Sequence, residues 1–594
     1  MWNVRRNVML SSIGLMAIGT VCRAQSQDTL SRAIDHVFDR WRNTISPGCA
    51  IGVSRNGVPV FEKGYGMANL ETMTPITPSS IFHVASISKQ FTATAIMLLE
   101  RERKLSLDDD IRKYLPELPD YGTAITVRDL LAHTDGVRDM LELLYFARGR
   151  FEEDRITEGD ALDIITRQTA LNAPPGSEYL YGNSGYVLLA EIIKRVSGQP
   201  LREFAAKRIF EPLGMTHTLF HDRYDAVVPG RTSGYEPVAG ADSPWRVSLP
   251  PYDFAGPTSL FTTVEDLLKW EANLDHPVVG DAAVFAHMLQ GQTLTNGDTI
   301  EYGLGMRTVR RYRGTRVAEV TGNDPGYQAY AGRYLDEQLA IAVTCNAGSA
   351  VSPTALAHGV ADVLLGNALA PVSKPVVQAG VAIPVERLTS RVGVYLQPTT
   401  MTVAHVVMKD GRLVFDGPAG GTLVPLAENR FTVAGQSGDV VCVNGPHASF
   451  QRRVPGQRPV TYEWRETPNG DTSLAPYAGD YVSTDLGGSH YQIRVDGSTL
   501  ALRAAGTSGS FVAREAFANA CVLRENSGTC SVARKPAICR SYCASVPYSA
   551  CACTSAFTLT DAAGPAACAA QPVRIARRTS AKVRMSVKLM LVKK

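Results

Sequence analysis

The segment that most constrains this 594-residue chain is Phe82 to Lys104. It opens with Ser86-Ile87-Ser88-Lys89. A run carrying Phe91, Ala95, Met97, Leu98 and Leu99 follows, apolar most of the way round a helix. Such a helix belongs in the centre of a core. The fold must therefore bury it, which puts Ser86 at the end of a rigid element. Residues three apart share a helix face, so Ser86 and Lys89 can meet while Ser88 points elsewhere. At a helix N-terminus Ser86 also meets unpaired backbone N–H groups and a partial positive charge. Those conditions suit a nucleophile that passes through an alkoxide and then an oxyanion. Lys89 either stabilises the alkoxide as an ammonium or takes the proton as an amine. The same spacing also fits a capping serine followed by a solvated lysine.

The apolar share of 45% and charged share of 20% are those of a soluble globular protein. The length predicts two to four domains. The net charge of +3 hides an imbalance. From Cys521 onward 12 Lys and Arg face 2 Asp and Glu, so the rest of the chain is acidic. An acidic body argues against a nucleic-acid partner. Arg5 and Arg6 precede an apolar stretch from Val8 to Val21, and Cys22-Arg23-Ala24 resembles a cleavage site. Residues 1–24 therefore read as a signal peptide, with a periplasmic or secreted product. The competing reading is a lipid on Cys22, but Gly19-Thr20-Val21 fits a lipobox poorly. No other stretch is long and apolar enough to span a bilayer. Cys49, Cys345 and Cys442 stand alone in apolar, strand-like runs, and read as buried free thiols.

Gln27 to Arg42 has helical periodicity. Cys49–Ser54 and Val58–Gly66 read as a hairpin joined through Asn56-Gly57. Ile125 to Gly136 reads as a capped helix whose His133 is a structural rather than a catalytic residue. Met140 to Ala170 reads as helical, ending before Pro174-Pro175-Gly176. Tyr181 and Asn183, two apart in an extended segment, can project the same way. A tyrosine held beside a lysine can serve as a general base, although Tyr181 alone also fits a loop aromatic. Residues 222–255 read as a long loop able to wall a cleft. Thr263 and Asp266 have capping-box spacing. Strands return at Val317–Val320, Tyr327–Arg333 and Gln338–Cys345, and a last helix covers Ser352–Leu365. Early strands, a helical middle and late strands predict one α+β domain over 27–367, with both chain ends in one sheet.

Read together, Ser86-x-x-Lys89, Tyr181-x-Asn183 and Thr321-Gly322 before Asn323-Asp324-Pro325-Gly326-Tyr327 resemble the penicillin-recognising serine hydrolases. That superfamily holds class C β-lactamases, DD-peptidases, family VIII esterases and D-aminopeptidases. The resemblance covers 27–367. It implies a β-lactamase/transpeptidase-like fold: an antiparallel sheet flanked by helices, plus a helical subdomain. It implies Ser86 as the acyl-accepting nucleophile, with Lys89 lowering its pKa or sharing its proton. Tyr181 would be the general base and Asn183 would bind Lys89 and substrate. Thr321, Gly322 and Asn323 would line the substrate, with the N–H groups of Ser86 and Asn323 as oxyanion hole. No metal and no cofactor are implied. One position departs from the pattern: Val320 stands where the superfamily carries Lys or His. That weakens a β-lactamase or DD-peptidase reading, whose substrates carry a carboxylate.

Residues 368–385, with Pro371, Pro375 and Pro384, read as a linker. Beyond it, Leu388, Gly393, Tyr395, Asp410 and Gly411 recur 86 residues later as Leu474, Gly479, Tyr481, Asp496 and Gly497. Each unit reads as short strands with Asp-Gly turns, hence β-barrel modules at 386–467 and 472–520, the second incomplete. Some D-aminopeptidase-like relatives carry two lipocalin-like barrels after the hydrolase domain, and these units look similar. Residues 521–594 hold seven cysteines and read as an out-of-frame or degenerate tail, with a disulfide knot or a basic docking tail as alternatives. The expected function is an exported serine hydrolase acting on a small-molecule or peptide substrate: an ester, an amide or a D-amino-acid peptide. A β-lactamase/DD-carboxypeptidase and a non-catalytic sensor are the alternatives. Oligomeric state is not legible in the sequence.

Overall fold

The computed structural model describes residues 29–42, 45–148, 154–238, 244–371 and most of 380–505, with short strands further on. The expected leader lies outside the described residues. So does the expected tail, apart from short strands such as Cys521–Leu523 and Leu591–Lys593. No helix among the described residues is long and apolar enough to cross a membrane.

Strands β1 (Cys49–Arg55) and β2 (Val58–Tyr65) form the expected hairpin. Asn56 (φ 52°) and Gly57 (φ 73°) both lie in the left-handed region, as a two-residue primed turn requires. The buried helix follows as α1 (Ser88–Arg101), then α2 (Val127–Ala132) and α3 (Met140–Arg148). The expected helix over Met140–Ala170 is in fact two. A second one, Glu158–Thr166, starts afresh because Thr157 and Asp160 form a reciprocal capping box. Next come α4 (Ser184–Ser197) and α5 (Val264–Asp275). The strands β3 (Arg310–Tyr312), β4 (Thr315–Asp324), β5 (Tyr327–Tyr334) and β6 (Leu339–Cys345) lead into α6 (Pro353–Leu365). The long 222–255 stretch carries the short strands Tyr235–Pro237 and Trp245–Val247.

The sheet order is β3-β4-β5-β6-β1-β2, so the first and last strands of the α+β segment, β1 and β6, lie side by side within it. Side chains alternate across a strand, and β1 shows the consequence. Cys49, Ile51 and Val53 face one core with Ile34, Phe38 and residues of α6. Ala50 faces the other core, which holds α1, α4 and α5. Gly52 lies against α5, where a Cβ would come within 3.0 Å of Leu268.

Cys49 and Cys345 are not free thiols. They lie opposite each other across β1 and β6 and form a disulfide, with Cα atoms 4.0 Å apart. Cys442 lies in the strand Asp439–Val443.

Eight strands from Gly393–Leu396 to Val460–Arg465 pair each with the next, and the last pairs with the first, so this sheet curls round and closes. A second unit repeats its opening strands 86 residues on, at Gly479–Ser483 and Ser489–Asp496. The turn between those two strands packs on the α+β segment that ends with α6. Leu486 is 2% exposed within the core that holds α1. The Asp485 carbonyl accepts from Gln168 Nε2 at 2.9 Å.

Candidate active site

Ser86 sits in a single tight turn, Ala85–Ile87, that leads into α1. Three neighbours fix this turn. Ser88 Oγ donates to the Ala85 carbonyl at 2.6 Å and accepts from Leu260 N–H at 3.0 Å, so Ser88 does point away from the site. His83 Nδ1 accepts from Ala85 N–H at 3.3 Å. Burial pushes His83 down to about 3, so the ring is neutral and free to accept. Together these bonds hold Ala85 at φ 49°, a left-handed conformation that a residue with a Cβ rarely adopts. Strand β4 closes in from the other side. A Cβ on Gly322 would lie 2.0 Å from the Val84 carbonyl oxygen, so only glycine lets the strand approach. Thr321 and Asn323 flank it on the same strand, both half-buried.

Lys89 is 1% exposed, so the solvated-lysine alternative does not apply. Its Nζ lies 3.1 Å from Ser86 Oγ, 3.1 Å from Asn183 Oδ1 and 3.0 Å from the Pro257 carbonyl. An ammonium has three donors, and here each finds an oxygen. A neutral amine could keep two of these bonds and accept the Ser86 proton along the third. The Tyr181 ring centroid lies 4.8 Å from the same Nζ, and that of Tyr186 lies 5.6 Å away. Within 5–6 Å an aromatic face attracts a cation.

His133 supports the tyrosine segment. It ends α2 in a left-handed conformation, φ 59°. Its carbonyl accepts from Leu180 N–H at 2.8 Å, and its Nδ1 accepts from Gly182 N–H at 3.3 Å. The backbone on both sides of Tyr181 is thus held by one residue. The His133 and Tyr181 rings lie 4.3 Å apart. Burial holds His133 well below its usual range, so Nδ1 is an acceptor and Nε2 carries the proton towards Tyr302, 3.3 Å away. His133, a structural residue on the sequence alone, lies in the wall of the site beside Tyr181.

Asn183 presents Oδ1 to Lys89 because Asp139 takes its other side. Asp139 Oδ2 accepts from Asn183 N–H at 2.5 Å and from Nδ2 at 3.1 Å. Asp139 and Tyr302 were missed in the sequence. An aspartate before the helical run from Met140 signals a cap, but nothing local marks its reach to a residue 44 positions on. Val320 is half-buried and packs against the core that holds α1, so the third motif offers no cation at that position. Among the described residues no cluster of His, Cys, Asp and Glu could hold a metal ion.

The sequence model of the Beta-lactamase family matches residues 34–365. The chain is 26% identical over 467 residues to a D-aminopeptidase of Gluconobacter oxydans, covering 76% of this chain and 83% of that protein. It is 26% identical over 412 residues to penicillin-binding protein 4* of Bacillus subtilis, covering 67% and 90%. Among solved structures, the octameric penicillin-binding protein homologue from Pyrococcus abyssi shares the fold. Its TM-score is 0.51 at 24% identity, over 73% of this chain and 99% of that one.

Proposed function

The chain belongs to the beta-lactamase family and is a serine hydrolase, and from that premise we propose an exported enzyme that cleaves ester or amide bonds through an acyl-enzyme on Ser86. D-amino-acid amides and peptides are the substrate class we favour, because relatives named D-aminopeptidase align over most of the chain. The observation that carries the reading is the buried Lys89, whose Nζ is shared by Ser86 Oγ and Asn183 Oδ1. The disulfide between Cys49 and Cys345 supports export, since such bonds persist in oxidising compartments.

In this reading Ser86 Oγ attacks the scissile carbonyl while its proton passes to the Lys89–Tyr181 pair. The oxyanion is met by the N–H groups of Ser86 and Asn323. Collapse breaks the bond to the leaving amine or alcohol, which takes the proton and departs. The acyl group stays on Ser86. Tyr181 then draws a proton from water, and hydroxide attack frees the acid and restores Ser86. Thr321 and Gly322 line the acyl chain along β4. Val320 gives no cation for a substrate carboxylate, which favours esters, amides and aminopeptidase substrates over penicillins. We divide the chain into a hydrolase domain at 27–367, a linker at 368–385 and two β units at 386–467 and 472–520. The closed sheet of the first β unit supports a lipocalin-like reading.

Intact-protein mass spectrometry tests the reading. A fluorophosphonate is expected to add once to the wild type and not at all to Ser86→Ala. A penicillin is expected to give no adduct. Folded wild type that resists the fluorophosphonate would sink the Ser86 assignment. A penicillin adduct lost in Ser86→Ala would instead move the substrate class towards β-lactams.

A further inference from the structure

Asp139 does two jobs with its two carboxylate oxygens. Oδ1 accepts from Leu141 N–H at 2.9 Å and Glu142 N–H at 3.2 Å, which caps α3. Oδ2 faces the site and accepts both the backbone N–H and the side-chain Nδ2 of Asn183. An amide side chain can turn over and exchange its oxygen for its nitrogen. If Asn183 turned, its NH2 would meet the Lys89 ammonium and its oxygen would meet the Asp139 carboxylate. Both contacts would be repulsive. Asp139 therefore decides which end of Asn183 faces Lys89.

The segments around this contact are zipped together. Ser184 Oγ donates to the Arg138 carbonyl at 2.7 Å and accepts from Met140 N–H at 2.7 Å. Arg138 is itself anchored. Its Nη1 donates to Gln168 Oε1 at 2.9 Å and lies 3.6 Å from Asp485 Oδ2 of the second β unit. Asp139 thus sits between two fixed neighbours, and its carboxylate has little freedom to leave Asn183.

We propose that Asp139 is a positioning residue of this hydrolase, setting the orientation of Asn183 and, through it, of Lys89 beside Ser86. The proposal rests on the reading of Ser86 and Lys89 as the acylating pair. A polar group misplaced by even an ångström in such a site costs on the order of 100-fold in rate.

Asp139→Ser separates the two jobs. Serine is as good an N-cap as aspartate, so α3 stays capped while the oxygen facing Asn183 is lost. The measurement is the rate of Ser86 labelling by a fluorophosphonate across its concentration range, with a melting curve for each protein. Asp139→Ser is expected to lose about 10- to 100-fold in maximal labelling rate. Its half-saturating concentration and melting temperature should stay near those of the wild type. Asp139→Ala is expected to lose the same factor in rate and to melt lower as well, because the cap goes too. Wild-type labelling in Asp139→Ser overturns the proposal. So does a rate loss confined to Asp139→Ala, which would follow the cap and not the missing oxygen. A folded wild type that is not labelled overturns the Ser86 reading, and this proposal falls with it.

Discussion

At the scale of single residues, the site depends on one buried amine. A fully buried lysine is rare unless its donors are satisfied, and Lys89 satisfies all three on Ser86, Asn183 and Pro257. Lys89→Met keeps most of the volume and removes the nitrogen. Ser86 labelling should fall by about 10²- to 10⁴-fold, the usual contribution of a proton-transferring group, with the fold retained by circular dichroism. Labelling at the wild-type rate would show that Ser86 is activated by something else. The pairing of Ser86 with Lys89 was legible because helical spacing decides it within one turn. Lys89's other partners were not equally legible. Asn183 was expected from the resemblance alone, and the Pro257 carbonyl from nothing. They lie 94 and 168 residues away, where only packing brings them near.

At the scale of elements, local chemistry read well wherever it was local. The Asn56-Gly57 turn, the strands β4 to β6 and the Ser352-capped α6 lie where turn residues and periodicity put them. The break inside 140–170 was written in Thr157 and Asp160, yet the apolar periodicity on both sides masked it. The two cysteines were misread for a different reason. Each looked isolated because its partner is 296 residues distant, and only the pairing of β1 with β6 sets them side by side. A crosslink closing so long a loop restricts the unfolded chain strongly. Replacing both cysteines by alanine should lower the unfolding free energy by about 2–5 kcal/mol, measured by urea denaturation without reductant. An unchanged midpoint would mean that the bond adds nothing to the folded sheet.

At the scale of the whole molecule, the second β unit is joined to the hydrolase segment through its first turn. Leu486 enters the core that holds α1, and Asp485 meets Arg138 and Gln168. The 86-residue repeat gave no sign of this contact, since repeats report internal similarity and not docking. Leu486→Ala should cost about 2–5 kcal/mol, as for other buried leucines. The loss should appear in the unfolding of the hydrolase segment itself, followed by hydrogen exchange of the backbone amides of α1 and α4 in the core that Leu486 enters. If that transition stays put while the β unit alone loosens, the two parts are independent.

The sequence by itself determined the pairing of Ser86 with Lys89, the order of the strands along the chain and the family resemblance, because each rests on short-range spacing or on motifs read in order. Tertiary structure alone decided that Asp139 orients Asn183, that His133 holds both flanks of Tyr181, that Cys49 meets Cys345, and that Leu486 fills a core begun some 400 residues earlier. Those contacts join positions far apart in the chain. Side-chain chemistry limits what each residue can bind, but the closing of the sheet and the packing of helices choose which partner arrives.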